Sequence, residues 1–114
     1  MRVLVCGGRD FTDRDFIHRT LNDLKRVEVI DCIIEGDGRG VDRIAGYWAR
    51  KNRIDNRKFP AWWNDGKRAG PERNQRMLDE GKPDLVIAFP GGRWTADMVR
   101  RSLAAGIPVK CVNS

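Results

Sequence analysis

One histidine, one tyrosine and three cysteines are all that this 114-residue chain offers to the chemistries that depend on those residues. A lone His18 cannot build a histidine-rich metal site within one protomer, and its place inside the first predicted helix suits a surface residue better than a catalyst. Cys6, Cys32 and Cys111 lie in or beside predicted strands, are odd in number and lack CxxC spacing. That pattern fits reduced core thiols and argues against disulfides or zinc. No apolar run approaches the roughly 20 residues of a membrane helix. The opening Met1-Arg2-Val3-Leu4 enters a strand without a signal-peptide pattern, so a soluble, cytoplasmic protein with no membrane partner is expected. There is no Walker A lysine motif, and Gly36-Asp37-Gly38-Arg39-Gly40 lacks the final spacing of the dinucleotide fingerprint. Neither ATP hydrolysis nor NAD-dependent redox chemistry is supported, and no metal or cofactor is expected.

Basic charge is what the chain has in excess. Lys and Arg number 22 against 16 acids, a formal net charge of +6. Such a surface favours anionic partners, whether a nucleotide, a nucleic acid or an acidic protein face; a basic coat kept for solubility is the plainer alternative. The length fits one domain over residues 1–114, with a single sizeable core, and no repeat, linker or low-complexity tract divides it.

Glycine is placed where it matters. Three apolar runs each break into glycines beside an arginine and an aspartate: Val3-Leu4-Val5-Cys6-Gly7-Gly8-Arg9-Asp10, Ile33-Ile34-Glu35-Gly36-Asp37-Gly38-Arg39-Gly40-Val41-Asp42, and Leu85 to Phe89 followed by Pro90-Gly91-Gly92-Arg93-Trp94-Thr95-Ala96-Asp97. Each reads as a strand, a glycine loop and a helix start. There the bare backbone lets a ligand approach, and the first helical N–H groups present free donors and partial positive charge to an anion. A chain with three such junctions is expected to bind a phosphorylated small molecule.

The rest alternates in the same way. Arg2 to Cys6 is the first predicted strand. Thr12 is placed to cap a helix from Asp13 to Val27, with Asp15 completing a capping box and Phe16, Ile17, Leu21, Leu24 and Val27 on one face. A strand from Val29 to Glu35 leads to a helix from Val41 to Asn52, whose Val41, Ile44, Ala45 and Trp48 repeat at helical spacing. Arg57 to Phe59 is a weaker strand. Pro60 to Gly70 has no period and reads as a loop, and Pro71 suits the first turn of a helix ending at Glu80 before Gly81. Leu85 to Phe89, a helix from Thr95 to Ala105 and a strand from Val109 to Val112 complete the chain. Units of this size, joined by right-handed crossovers, predict an α/β fold: a Rossmann-like three-layer α/β/α sandwich on a mostly parallel five-stranded sheet, order 3-2-1-4-5. The ligand site then belongs beyond the carboxyl ends of the first and fourth strands, where the winding reverses.

Four segments carry a family likeness: Gly7-Gly8-Arg9-Asp10-Phe11; Glu35-Gly36 with Arg39-Gly40-Val41-Asp42-Arg43; Gly70-Pro71-Glu72-Arg73-Asn74-Gln75-Arg76-Met77; and Phe89-Pro90-Gly91-Gly92 with Thr95-Ala96-Asp97-Met98-Val99. Together they resemble, nearly end to end, the YspA-like branch of the SLOG superfamily, common in bacteria and their phages. That superfamily includes the LOG phosphoribohydrolases, the DNA-processing protein DprA and nucleotide-sensing domains of conflict systems. The resemblance implies a nucleotide-binding Rossmann-like fold, and the oligomers common in the superfamily imply a homo-oligomer, with a dimer favoured. Two departures from the LOG pattern stand out. Trp94 occupies the second glycine position of the Pro-Gly-Gly-x-Gly-Thr loop, where it can cover or fill part of the phosphate pocket, and Met98 replaces the second glutamate of the acidic pair. A methionine cannot act as a base, so LOG-type cleavage requires Asp97 or Asp10 to substitute as the catalytic carboxylate.

Roles follow from the chemistry and the matches together. Gly7, Gly8, Gly36, Gly40, Pro90, Gly91 and Gly92 are candidates for the backbone cradle, with Thr95 adding a hydroxyl at the helix start. Arg9, Arg39, Arg73 and Arg93 are candidate forks for phosphate or carboxylate oxygens, unless ion pairs with neighbouring acids occupy them. Asp42 and Asp10 suit ribose hydroxyls and Asn74 a base edge or sugar, or else all three are structural caps. Trp62 and Trp63, beside Lys67 and Arg68, can stack a base or pack the loop onto the domain. Three functions stand: a nucleotide sensor or sequestering protein, a LOG-like N-glycosidic hydrolase of nucleoside monophosphates, and a DprA-like single-stranded nucleic-acid-binding or protein-interaction module.

Overall fold

A computed structural model describes residues 1–113. Five parallel strands, β1 (Arg2–Cys6), β2 (Cys32–Glu35), β3 (Asp55–Lys58), β4 (Leu85–Ala88) and β5 (Val109–Cys111), lie in the order β3-β2-β1-β4-β5. Four helices join them: α1 (Arg14–Val27), α2 (Val41–Lys51), α3 (Ala69–Gly81) and α4 (Arg93–Ala104). This is the Rossmann-like sandwich and the strand order that the alternation predicts.

Alternation along β1 divides the core in two. Val3 and Val5 point to the layer of α1 and α2, where they meet Ile17, Leu21, Val41, Ile44, Ala45 and Trp48 together with Ile33 and Phe89. Leu4 and Cys6 point the other way, to Ile34, Met77 and Leu78 of α3 and Met98 of α4. Successive strand side chains face opposite layers, so a run buried on both sides reads as continuous apolar sequence.

Several local expectations are corrected. Asp13, not Thr12, caps α1, accepting from the Phe16 backbone N–H at 3.1 Å; with the cap one residue later, Asp15 no longer stands at the capping-box position. Val27 is 77% exposed, because α1 ends there and its last turn has left the sheet. Val29 is equally exposed, and β2 begins only at Cys32, where pairing with Arg2 starts. Cys6 and Cys32 are buried free thiols, whereas Cys111 is exposed on the edge strand β5 rather than in the core. His18 is half-buried, and burial lowers its pKa.

The largest departure is the predicted loop. Trp63–Arg68 forms a 3₁₀ segment interrupted at Gly66, and α3 starts at Ala69, two residues before Pro71. Ala69 and Gly70 are buried there, and a Cβ on Gly70 would sit 2.8 Å from the Trp94 ring. The close approach of that indole leaves no room for a side chain at Gly70.

Candidate ligand cleft at the carboxyl edge of the sheet

The loops after β1, β2 and β4 converge into a cleft of about 730 Å³, a volume within the roughly 300–1,000 Å³ of small-molecule sites. It lies where the winding reverses between β1 and β4. The loops are tied to one another by backbone. Gly8 N–H donates to the Pro90 carbonyl at 2.8 Å and Val41 N–H to the Gly8 carbonyl at 3.3 Å. Gly40 precedes α2 with φ +79°, and any side chain there would meet the carbonyls of Gly8 and Arg9 at 2.5 Å. Only glycine permits both the left-handed backbone and that approach.

Two helices begin at this edge without a side-chain cap. Gly40 before α2 and Gly92 before α4 have no side chain to cap the first N–H groups. In α2 the Val41 and Arg43 N–H groups donate instead to the Gly8 and Gly38 carbonyls at 3.3 and 3.2 Å, whereas among the described residues the first turn of α4 stays open and carries no acid. Unsatisfied N–H groups and the helix dipole favour an anion at such an end.

Of the residues singled out in the sequence, Gly7, Gly8, Arg9, Asp10, Gly36, Asp42, Trp63, Arg73, Pro90, Gly91, Gly92, Arg93 and Thr95 all line the cleft. Phe11, Asp37, Gly38, Arg43, Pro60, Ala61 and Trp94 line it too. Phe11 is held by stacking on Phe89, ring centroids 6.2 Å apart. Its place after Gly7-Gly8-Arg9-Asp10 was the one sequence signal for it.

Other candidates are not brought to the cleft. Asn74 is buried, donates to Trp94 O and to Asp97 Oδ2 at 3.0 Å each, and accepts from Arg73 Nε at 3.0 Å, so its amide is committed within the fold. Asp97 is buried between α3 and α4, with Oδ1 accepting from Arg100 at 2.7 Å and Oδ2 from Arg101 at 2.8 Å as well as from Asn74. Those arginines stand three and four positions on, a spacing that marks a helix ion-pair cluster in sequence. Arg39 pairs with Asp10 across the exposed rim at 3.2 Å. Trp62 carries the Arg76 guanidinium 4.0 Å from its ring centroid, and Arg76 also donates to the Pro60 carbonyl at 2.8 Å, which fastens the loop to α3.

Two charged groups form the floor. Arg73, 8% exposed, donates from Nη1 to the Gly36 carbonyl at 2.9 Å, while its Nη2 has no hydrogen-bond partner among the described residues. A Cβ at Gly36 would lie 2.5 Å from Nη1, so the bare backbone makes room for the guanidinium. Burial pulls the Arg73 pKa down, partly offset by Asp42. The Asp42 carboxylate accepts from Gly38 N–H at 3.1 Å, and burial, aided by nearby Glu35, pushes its pKa up to about 7. No ion pair within 4.0 Å joins Asp42 to a cation among the described residues. Glu35 is fully buried beneath the loop, accepts from Asp37 N–H at 2.6 Å and Asn56 Nδ2 at 3.2 Å, and has its pKa raised by burial. Through that first bond it holds Asp37 at φ +60° and sets the turn that carries Gly36 and Gly38.

A family model described as YspA, cpYpsA-related SLOG (YAcAr) matches residues 1–66, which include the first two glycine loops. The chain belongs to the YAcAr family. This SLOG membership connects the chain, at a coarse level, with nucleotide-related binding or processing. No curated protein matches the chain. In this YAcAr protein no group of metal-ligating side chains occurs among the described residues, and no described helix is long and apolar enough to cross a membrane.

Proposed function

We propose that this YAcAr protein binds a nucleotide or nucleotide-derived ligand in the cleft, as a sensor or sequestering protein. One observation carries the reading: Arg73, a buried guanidinium at the floor of a glycine-lined cleft, has no carboxylate within 4.0 Å among the described residues. Nε and Nη1 are answered by Asn74 and the Gly36 carbonyl, but a buried charge without an ion pair is costly, and a phosphate oxygen on Nη2 offsets that cost. The backbone of Gly7, Gly8, Gly91 and Gly92, with Thr95 at the start of α4, completes an anion cradle in this reading. Asp42 and Asp10 remain for sugar hydroxyls, and Trp63 for stacking on a base.

A second reading is N-glycosidic hydrolysis, favoured by the Asp42 carboxyl, whose pKa of about 7 suits proton transfer near neutrality. Asp42 and Asp10 line the cleft and Asp97 does not, so the first two carry the catalytic role in this version.

Thermal denaturation against nucleoside monophosphates, NAD-derived molecules, cyclic dinucleotides and short single-stranded DNA, each followed by mass spectrometry, tests both. Ligand at a hundred times its Kd adds about 2.7 kcal/mol, a rise on the order of ten degrees in a domain of this size. The rise is expected with intact ligand and is expected to vanish in Arg73→Met. Release of free base instead selects the hydrolase. A shift with DNA alone replaces both readings with a nucleic-acid-binding module.

A further inference from the structure

Three arginines that line the cleft make no ion pair within 4.0 Å among the described residues, and Asp42 acts on Arg73 only from farther off. Arg73 lies at the floor, while Arg9 stands exposed on the loop after β1 and Arg93 at the first position of α4. Acids are present on the same rim, but other cations hold them: Asp10 pairs with Arg39 at 3.2 Å, and Asp37 with Arg43 at 3.7 Å and Lys58 at 3.5 Å.

The two rim arginines rest on tryptophan instead. Arg9 lies over the Trp63 ring at 5.2 Å and Arg93 over Trp94 at 4.6 Å. Stacking occupies the face of a guanidinium and leaves its in-plane N–H donors free, so each indole holds a cation in place without discharging it. Floor and rim are different depths of one cleft: Arg73 is 8% exposed, whereas Arg9 and Arg93 are exposed.

Resting on the nucleotide reading, we infer that the ligand carries two linked phosphoryl groups, as in a nucleoside diphosphate or a dinucleotide pyrophosphate. The inner group meets Arg73 and the glycine loops, and the outer one meets Arg9 and Arg93. A monophosphate fills the inner place alone and leaves both rim cations unanswered.

Calorimetric titration with the four common ribonucleoside monophosphates and their diphosphates, at one fixed ionic strength, tests this. For whichever base binds best, the diphosphate is expected to bind at least about tenfold tighter than the monophosphate, the gain of one set of charge-assisted hydrogen bonds. In Arg9→Gln/Arg93→Gln that ratio is expected to fall below about threefold. Arg14→Gln/Arg19→Gln, which removes the same charge from exposed positions on α1, is expected to keep it. Equal affinities for mono- and diphosphate overturn the inference and leave the nucleotide reading standing. An equal fall in both double variants reveals a general charge effect and also overturns it. Failure of every nucleotide to bind overturns the nucleotide reading itself.

Discussion

Asp42 and Asp97 occupy similar places in sequence, each near the start of a helix that follows a glycine loop, and they end in opposite surroundings. Asp97 has three donors on its two oxygens, two of them from arginines on its own helix, and is shut between α3 and α4. Asp42 has one backbone donor, no ion-pair partner among the described residues, and a face on the cleft. A carboxylate that is fully answered inside the fold serves packing. One that is half-buried and left incomplete costs stability and stays available to a ligand, which is where function concentrates.

The most direct way to break this contrast is to remove the Asp97 carboxylate. Asp97→Ala removes an acceptor from buried Asn74 and from Arg100 and Arg101, whose guanidinium groups reach solvent, and the loss of a buried hydrogen-bonding partner costs about 1–3 kcal/mol. The expected outcome is a fall in Tm of about four to twelve degrees by circular dichroism. A fall of only one or two degrees would show that the α3–α4 seam does not depend on this cluster.

Asp42 is expected to behave in the opposite sense. Its folded pKa is about 7 against the ordinary 3.8 of an aspartate, so between these values the folded state holds a proton that the unfolded state has lost. Stability therefore declines as pH rises from about 4 to 7, and the decline is complete above 7. At about 1.4 kcal/mol per unit the full effect is on the order of 4 kcal/mol. Asp42→Asn keeps an acceptor for Gly38 N–H and carries no charge, so it is expected to be more stable than the parent at pH 8 and indistinguishable from it near pH 4. Urea unfolding at both values checks this; parallel pH profiles for the two proteins would remove the buried-charge account.

The smallest effect belongs to Arg39 and Asp10. Their side chains are 69% and 92% exposed, and solvent screens such a pair almost completely. Arg39→Gln is expected to change stability by less than about 0.5 kcal/mol in urea titration. A larger loss would show that the rim pair braces the glycine loops.

Sequence patterning reached the sheet order and the cleft because both depend on local signals, apolar runs and the glycines that end them. It reached less far where tertiary contact decides. β3 is Asp55-Asn56-Arg57-Lys58, with no apolar alternation, and exists because β2 offers it a partner from Cys32 to Glu35. Trp94 requires a bare backbone at Gly70 in the first turn of α3, through a contact across 24 positions of sequence that no local pattern records. For Asn74 and Asp97 the residue type suited a ligand equally well, and only the donors around them in space separate a seam from a site. The i+3 and i+4 arginines after Asp97 were the one legible warning.

The arginine-on-tryptophan contacts at the rim have an optical consequence. Trp63 and Trp94 border the cleft while Trp48 is sealed in the core, so two of the four indoles lie beside any incoming anion. An anion that draws Arg9 and Arg93 toward itself lifts a cation from each ring face and alters the emission of both fluorophores. The protein thus carries its own reporter of occupancy, readable without a label.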